Sequence, residues 1–465
     1  MARILLPAMR DVSRYRGHAR ALLALGLPLV GSQLAQMLLH VADTILLGRY
    51  DVTALASMVM GSSYFFFFFV MGTGFGNAVI GMIATARAQG DQAQVRRDTR
   101  MALWLSGLYS VAVLPAFLFS EQILLALGQQ QDLAAGAHMF LLIAGLGMAP
   151  ALFAHVLRGF LSALERTQIV LWVNLGSLVV NATLAWMLIF GRLGMPELGV
   201  RGAAIATVSV QFATFLAFAI YAQRLPSLRD YRLFSRFWRP DWPTFAAVAR
   251  LGLPVGLTSL AESGLFIAAN VMMGWVGTIA VAAHGIALQI TAIAFMVNLG
   301  LANAVTVRIG HFFGARDPRA LSDAAWTGLV LSFAFSCVAV MLFLTLPGPI
   351  ISLFTDMTKP EAPQILSLGV KLLTVAAVFQ IFDGMQVLAL GLLRGVHDTR
   401  APMWIALFSY WLVGLPVSYL AGFGLGWGGI GVWSGLVVGL VVAAALLLRR
   451  FWQGPALREA RASAL

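Results

Sequence analysis

Charge is scarce in this sequence, and acidic charge is the scarcest. Only 11% of the 465 residues are Asp, Glu, Lys or Arg, 60% are hydrophobic, and just 19 residues are acidic. An average soluble domain carries about 25% charged residues. The composition therefore excludes an ordinary soluble globular protein.

Several signatures of other function classes are also missing. The single cysteine, Cys337, excludes an intrachain disulfide. The sequence contains no GxxxxGK[ST] motif, which excludes a P-loop ATP site, and it shows neither a metal-ligand cluster nor a nucleophile–base signature. We therefore expect no enzymatic activity and no cofactor. We also expect no cleavable signal peptide, because the first apolar stretch is too long and lacks a convincing cleavage site.

What the sequence has in abundance is long apolar stretches. Runs of about 20 residues, enough for a helix to cross a bilayer, recur along nearly the whole chain. They predict an all-α polytopic membrane protein with twelve spans, at residues 21–48, 53–84, 101–128, 133–157, 168–190, 200–222, 247–275, 278–307, 324–346, 365–393, 402–423 and 429–448.

The arginines and lysines are unevenly distributed between the two ends of these spans. If both termini lie on one side, that side receives the basic tails and the arginine-rich connections 87–100 and 224–250. The opposite side keeps only Arg49, Arg192, Arg201, Lys359 and Lys371. Because basic residues concentrate on the cytoplasmic side, we expect both termini in the cytoplasm. The concentration of basic residues on the cytoplasmic side then explains the net charge of +12, and we expect no nucleic-acid partner.

The two halves of the chain repeat one another. At a constant offset of 226, residues 26–91 match residues 252–317 without gaps, so Gly26-Leu27-Pro28 falls on Gly252-Leu253-Pro254. A second repeated motif pairs Leu157-Arg158-Gly159 with Leu393-Arg394-Gly395, after the fourth span of each half. Matched segments are six spans apart, so we expect two six-helix lobes of the same orientation, related by an axis near the membrane normal.

The repeat predicts the domain organisation. We expect a cytoplasmic tail at residues 1–20, a first lobe at 21–222, a cytoplasmic linker with a short amphipathic segment at 223–246, a second lobe at 247–450 and a tail at 451–465. The repeat also separates shared from specialised residues: Glu262 falls on Gln36, and Asp43 falls on Ala269. The charged chemistry of the two lobes should therefore differ.

Three acids, Asp43, Glu262 and Asp383, lie well inside apolar stretches. A charged side chain at the bilayer centre costs about 3 kcal/mol on insertion scales, and residues that persist there are functional candidates. We interpret these acids as the ion- or proton-handling groups of a transporter. The alternatives are that Asp43 reaches the headgroup region near its helix end, and that Glu262 and Asp383 are isolated protonated core acids.

In the first half, Gln33, Gln36, His40 and Asp43 share one helix face by their spacing, and Asn174, Ser177 and Asn181 form a second polar stripe. These predict a wet cavity with Asp43 at its centre. Asn174 and Asn181 could equally be packing contacts between helices. His40 and His284 could relay protons, although packing histidines are the more common case.

In the second half, polar and aromatic side chains flank both acids. Ser259 and Phe266 lie one turn before and one turn after Glu262, and Asp383 is accompanied by Phe379, Gln380 and Gln386. Two acids in one half with these neighbours predict a site at which a bound proton or Na⁺ relieves the charge. Glu262 and Asp383 would then be the Na⁺ ligands of a sodium-coupled protein.

These motifs resemble the multidrug and toxic compound extrusion (MATE) family of the MOP superfamily, and its NorM-like branch in particular. The resemblance covers nearly the whole chain: LGLP near the start of spans one and seven, VADT in span one, AESGLF in span seven, and FDGMQVLALGLLRG followed by HDTR at span ten.

The resemblance implies an inner-membrane antiporter that exports lipophilic, often cationic small molecules in exchange for Na⁺ or H⁺. It implies that Glu262 and Asp383 are cation-binding acids, that Asp43 serves in coupling or drug binding, and that Asn181 is a polar neighbour of Asp43. A monomer surrounded by membrane lipids is expected. The alternative is a flippase of lipid-linked precursors from the same superfamily, for which we would expect a cavity rich in basic residues. In this sequence we expect the deep charges to be acidic.

Overall fold

The computed structural model describes residues 12–355, 358, 360–454 and 457–458. Parts of both predicted tails and Lys359 lie outside these described residues. All regular secondary structure in the described residues is helical, and these residues contain no strand. This confirms the predicted all-α fold class.

Twelve helices are long and apolar enough to cross a membrane, one for each predicted span. They are α1 (Val12–Tyr50), α2 (Val52–Ala88), α3 (Gln92–Leu118), α4 (Gln131–Ala163), α5 (Thr167–Phe190), α6 (Val200–Arg224), α7 (Trp242–Val276), α8 (Thr278–Gly314), α9 (Pro318–Thr345), α10 (Ala362–Gly395), α11 (Arg400–Gly424) and α12 (Gly428–Gln453). Most extend beyond the predicted spans because polar turns continue the helix past the apolar segment. Shorter helices cover Ser120–Ala126, Pro226–Arg229 and Pro347–Ser352.

Helix starts are set by aspartate caps that recur in both halves. The Asp91 carboxylate accepts a hydrogen bond from the Gln94 amide at 2.8 Å, which satisfies a free N–H at the start of α3. Its repeat equivalent, Asp317, does the same for the Ala320 amide at 2.9 Å at the start of α9. The repeat is therefore visible in local chemistry as well as in apolar pattern.

Two of the spans contain irregular turns. In α4, a 3₁₀ turn at Gly145–Gly147 separates Gln131–Ala144 from Met148–Ala163. In α11, π-helical turns occupy Phe408–Gly414 and Leu420–Gly424, on either side of Leu415–Tyr419. Such π turns frequently occur at functional sites, because they redirect side chains that a regular helix would place elsewhere.

The helices group into two compact units, and the boundaries fall inside α1 and α7. One unit is Gly31–Leu257; the other combines Met1–Val30 with Thr258–Leu465. The first part of α1 therefore packs with the second half of the chain, and the first part of α7 packs with the first half.

Glycines at repeat-equivalent positions hold these two helix segments in place. In the unit Gly31–Leu257, a Cβ on Gly74 of α2 would strike the backbone of Gly252 and Gly256 on α7. In the other unit, a Cβ on Gly300 of α8 would lie 2.7 Å from the backbone of Val30 on α1. Close backbone approach of this kind requires a residue without a side chain.

Candidate functional site

Asp43 lies at a junction of α1, α5 and α6. Its side chain is buried, at 5% exposure. One carboxylate oxygen, Oδ1, accepts a hydrogen bond from Asn181 Nδ2 at 2.6 Å, and Oδ2 accepts one from Thr207 Oγ1 at 3.4 Å. The structure thus brings Asp43 and Asn181 together and adds Thr207, which the polar stripes did not include. Asn181 is the principal donor, because the single hydroxyl proton of Thr207 also has the Ala203 carbonyl oxygen within 3.0 Å.

The other members of the first-half stripes have separate partners. Asn174 is buried and donates to Ser32 Oγ, while Ser177 Oγ lies 2.7 Å from Thr214 Oγ1. These contacts join α5 to α1 and α6 and act as packing contacts between helices. His40 is exposed. The predicted stripe is therefore divided among several interactions, and Asp43 is the centre of only one of them.

Gln33 and Gln36 contact an arginine that the sequence analysis did not place in a site. Nη1 of Arg158, on α4, donates to Gln33 Oε1 at 2.9 Å and to Gln36 Oε1 at 2.7 Å. Nη2 lies 2.8 Å from His155 Nδ1, and His155 Nε2 lies 3.0 Å from Asn77 Oδ1. Since an arginine only donates, Nδ1 of His155 accepts, and its Nε2–H donates to Asn77.

The second half places Glu262 of α7 and Asp383 of α10 close enough for their charges to repel. Gln386 and Arg394 of α10 also lie near Glu262, and the positive charge of Arg394 is attractive to it. Tyr410, on a π turn of α11, lies close to both acids. The structure therefore assembles the two predicted acids, Gln386 and two further residues in one buried cluster.

This cluster, Glu262, Asp383, Gln386, Arg394 and Tyr410, contains polar atoms without hydrogen-bond partners. Within the described part of the chain, neither carboxylate oxygen of Asp383 has a partner, and Glu262 Oε1 has none. Gln380, one turn before Asp383, is fully buried and its amide oxygen also lacks a partner. Buried oxygens without partners are costly, and a bound cation or proton would satisfy them.

The same oxygens suit a small hard cation. Hard cations bind carboxylate and amide oxygens, and Glu262, Asp383 and the Gln380 and Gln386 amides supply such oxygens. Among the described residues, no three His, Cys, Asp or Glu side chains lie close enough together to hold a metal ion. A site of that kind is therefore absent from the part of the chain that the structure describes, and the ligand atoms that this cluster offers are carboxylate and amide oxygens.

Comparison with known proteins shows the family of this chain. The MatE family profile matches residues 28–187 and 254–420, one segment in each half and more than half of the chain in total. The chain belongs to the MatE family. The predicted resemblance is thereby confirmed, and membership places the chain among transporters rather than among known enzyme families.

NorM-like proteins are similar to this MatE protein over almost its full length. A "Probable multidrug resistance protein NorM" of Rhizobium meliloti (strain 1021) is 44% identical over 94% of this chain and 93% of its own length. The "Multidrug resistance protein PmpM" of Pseudomonas aeruginosa is 35% identical over 96% of this chain and 93% of its own length.

Solved MATE structures share the fold. AtDTX14, described as a eukaryotic MATE transporter, superposes on this chain with a TM-score of 0.85 at 19% identity, and the match covers 97% of this chain and 100% of AtDTX14. A structure described as the outward-facing conformation of a multidrug resistance MATE family transporter gives a TM-score of 0.86 at 22% identity, over 97% and 99% of the two chains. At these identities the likeness concerns the fold.

Aromatic side chains of this MatE protein line the region beside the acid cluster. The rings of Phe266 and Phe379 are 6.1 Å apart, and the ring of Phe379 is 5.5 Å from that of Trp433. Trp433 Nε1 donates to His284 Nδ1 at 2.9 Å. His284 is thus a buried acceptor for a tryptophan. Ser259 is half-buried one turn before Glu262.

The sequence analysis did not assign five residues of the Arg158 network and the acid cluster to a site: Asn77, His155, Arg158, Arg394 and Tyr410. For Arg158 and Arg394 a signal existed, because both lie in the repeated Leu-Arg-Gly motif, but their position near helix ends led us to assign them to the loops. The expectation that the deep charges are acidic is therefore incomplete, since Arg394 is buried, at 9% exposure. For Tyr410 no signal existed, because the π turn that places it cannot be read from a hydrophobic pattern.

Proposed function

We propose that this MatE protein is a secondary-active multidrug exporter that moves lipophilic, often cationic small molecules out of the cell in exchange for Na⁺ or H⁺. Its curated relatives carry the name multidrug resistance protein. The observation that carries the exchange is that Glu262, which is half-buried, and Asp383, which is buried, have carboxylate oxygens without hydrogen-bond partners in the described part of the chain.

The coupling follows from the cost of leaving those acids ionised. A cation or proton that neutralises Glu262 and Asp383 stabilises whichever conformation binds it more tightly, and only that difference in affinity can shift the equilibrium. Cation loading then favours drug release on the outside, and cation loss on the inside favours drug binding. The effect must be reciprocal, since drug weakens cation binding by the same factor.

Asp43 has a different role in this proposal. It lies in the unit Gly31–Leu257, and donors from Asn181 and Thr207 stabilise its negative charge. A buried carboxylate whose hydrogen-bond partners are all neutral gains a counter-charge from a cationic drug. We therefore assign Asp43 to the substrate cavity or to coupling between drug and ion.

The test is transport by purified protein in proteoliposomes, with a Na⁺ gradient and a proton gradient imposed separately. We expect export of a fluorescent lipophilic cation under one gradient or both, and none without a gradient. Movement of lipid-linked sugars without drug export would instead support the flippase alternative. Export driven by ATP alone would contradict secondary transport.

The proposed setting is a bacterial inner membrane with both termini in the cytoplasm, and the protein acts as a monomer surrounded by lipid. Twelve candidate spans, an even number, are consistent with termini on one side. Tags at the termini and in residues 223–246 should react from the cytoplasmic side, and tags at residues 193–198 or 357–362 from the outside. One tag on the wrong side would contradict the topology.

A further inference from the structure

Residues 223–246, which join α6 to α7, are folded against the helices of their own unit. Leu228 and Leu233 are buried, at 3% and 4% exposure. The ring of Tyr231 packs edge-on against that of Phe160 on α4, with the ring centroids 6.1 Å apart. These apolar side chains point toward the protein, and they fix which residues of the segment face outward.

Two side chains of α3 hold the main chain of this segment. Arg100 Nη1 donates to the Arg236 carbonyl oxygen at 3.0 Å, and Trp104 Nε1 donates to the Phe237 carbonyl oxygen at 3.1 Å. Both bonds end on carbonyl groups, so they fix the course of the segment without occupying any of its side chains.

The middle of the segment consists of three consecutive tight turns, and each begins at an arginine. The bonds run from an amide to the carbonyl oxygen three residues earlier, at 3.0, 2.9 and 3.0 Å, and the turns start at Arg229, Arg232 and Arg236. Arg232 and Arg236 have φ angles of 45° and 54°, a left-handed conformation that is uncommon for a residue other than glycine. The turns shorten the segment and crowd its arginines into a short stretch of surface.

The outward face of the segment is basic. All its arginines are exposed, namely Arg224, Arg229, Arg232, Arg236 and Arg239. None of them takes part in the ion pairs found in the described part of the chain. Of the two acids in the segment, Asp241 lies 3.6 Å from Nε of Arg97 on α3, which leaves Asp230 against five arginines. The segment therefore carries unbalanced positive charge, which attracts anions.

Two tryptophans are exposed beside these arginines. Trp238 is 73% exposed and Trp242 is 63% exposed, and Arg239 lies between them in the sequence. Trp242 is also the first residue of α7, a candidate membrane span. Tryptophan is enriched at membrane–water interfaces, where its ring lies at the level of the lipid headgroups. The exposed rings therefore favour a lipid surface over a soluble acidic partner, for which the arginines alone would serve.

We propose that residues 223–246 bind anionic phospholipids, with the arginines of the three turns on the phosphates and Trp238 and Trp242 among the headgroups. Clusters of basic residues next to membrane spans attract anionic lipids, and each basic residue near the surface adds to the attraction. The inference goes beyond the proposed export function and rests on the proposed topology only for the leaflet, which is then the cytoplasmic one. Because α3 holds the segment, bound lipids also anchor this side of the unit Gly31–Leu257.

The experiment places the purified full-length protein in phosphatidylcholine nanodiscs, with no drug and no gradient. A minority of the lipid is either phosphatidylglycerol or phosphatidylcholine with bromine on its acyl chains. Bromine quenches nearby tryptophan, and the difference between the wild type and Trp238→Phe gives the signal of Trp238. At low ionic strength we expect about tenfold enrichment of the brominated phosphatidylglycerol over the brominated phosphatidylcholine at Trp238. Equal quenching by the two lipids would overturn the proposal.

Two triple variants locate the enrichment. One removes three arginines of the turns and keeps an unbranched side chain at each position: Arg232→Gln, Arg236→Gln and Arg239→Gln. The control removes three exposed arginines outside the segment: Arg49→Gln, Arg192→Gln and Arg201→Gln. In the first variant both lipids should quench Trp238 equally, and in the control the tenfold enrichment should remain. Enrichment that survives in the first variant, or is lost equally in the control, would contradict the assignment.

The salt response of the wild type decides the matter if the first variant does not fold. Salt screens exposed charges, so the enrichment should disappear at about 1 M KCl, where the Debye length is about 3 Å. An enrichment that salt leaves unchanged would exclude these arginines as its cause.

A soluble partner and the transport function are tested separately. If heparin alters the Trp238 signal in nanodiscs of phosphatidylcholine alone, and phosphatidylglycerol gives no enrichment, the surface belongs to a soluble polyanion and the lipid proposal fails. Because neither drug nor gradient is present, enrichment in a protein that exports nothing would uphold the lipid surface and refute the proposed function. Export by a protein without enrichment would do the reverse.

Discussion

Each half of this MatE protein contains an arginine of the repeated Leu-Arg-Gly motif, and the two arginines have neighbours of different charge. In the first half, Arg158 contacts the amides of Gln33 and Gln36. In the second half, Arg394 interacts with Glu262, and Asp383 adds another acid nearby. The halves share one duplicated scaffold, and the substitution of Gln36 for the equivalent of Glu262 gives the arginines neighbours of different charge.

The residues suited to ion handling and those suited to substrate handling lie in different halves of the chain. The acids of the second half lie close together and retain oxygens without partners, which favours a small cation or proton. In the first half, each carboxylate oxygen of Asp43 lies within 3.4 Å of a side-chain donor, unlike the oxygens of Asp383. The halves therefore predict different responses to neutralising one acid.

The largest expected effect comes from neutralising the second-half acids. Glu262→Gln and Asp383→Asn should each abolish gradient-driven efflux while the protein remains folded, because neither amide can exchange a proton or balance a cation's charge. Efflux from proteoliposomes under an imposed gradient measures this. Asp132→Asn removes an exposed acid and should leave efflux unchanged. Normal efflux from either variant would exclude that residue from the mechanism.

The next effect is on the coupling between cation and drug. In the wild type, Na⁺ or acid should weaken binding of a cationic drug, by about 5–150-fold if the coupling is typical. Asp383→Asn should erase that dependence, whereas Asp43→Asn should weaken drug binding and leave the dependence in place. Fluorescence titrations with Na⁺ at several fixed pH values distinguish the two. If neither ion alters drug affinity in the wild type, the exchange mechanism is wrong.

A smaller effect compares one glycine from each of the two helix crossings. Gly74→Ala places a methyl group against the Gly252 and Gly256 backbone and should cost about 1–3 kcal/mol of stability. Gly26→Ala should cost less, because its methyl meets a leucine side-chain end, Leu301 Cδ2, at 3.0 Å. Thermal unfolding in detergent, followed by tryptophan fluorescence, ranks the two. The reverse order would show that the first crossing is the more adaptable one.

The smallest effect concerns the two donors to Asp43. Asn181→Ala removes a 2.6 Å bond to a charged group and should weaken cationic drug binding and lower stability by about 2 kcal/mol. Thr207→Val removes a 3.4 Å bond and should cost less than about 1 kcal/mol. The same melting and binding measurements apply. A larger loss in Thr207→Val would mean that the threonine is the principal donor.

The sequence predicted the helices well because apolar length and the 226-residue repeat are properties of the chain itself. Each predicted span falls on one helix, although α3 ends at Leu118 rather than near residue 128, since a turn at Phe119 starts the separate helix Ser120–Ala126. The aspartate caps that set other boundaries are short-range signals of the same kind.

The sites were less predictable because they depend on contacts between distant segments. Asp43, Glu262 and Asp383 stood out by their charge within apolar sequence. The helical stripe, however, did not reveal that Gln33 and Gln36 would contact Arg158 more than 120 residues away. Tyr410 depends on the π turn of α11, a local departure from helical periodicity that no spacing rule anticipates.

The crossing of α1 by α8 has a consequence for biogenesis. The first part of α1 packs within the unit that contains Thr258–Leu465, with Gly300 against Val30. A ribosome must therefore add 270 residues after Val30 before the partner glycine exists, since 300 minus 30 is 270. At about 5–20 residues per second, this takes roughly 15–55 s. During that time this part of α1 has been synthesised but lacks its final neighbour, so an early-made segment is among the last to reach its native packing.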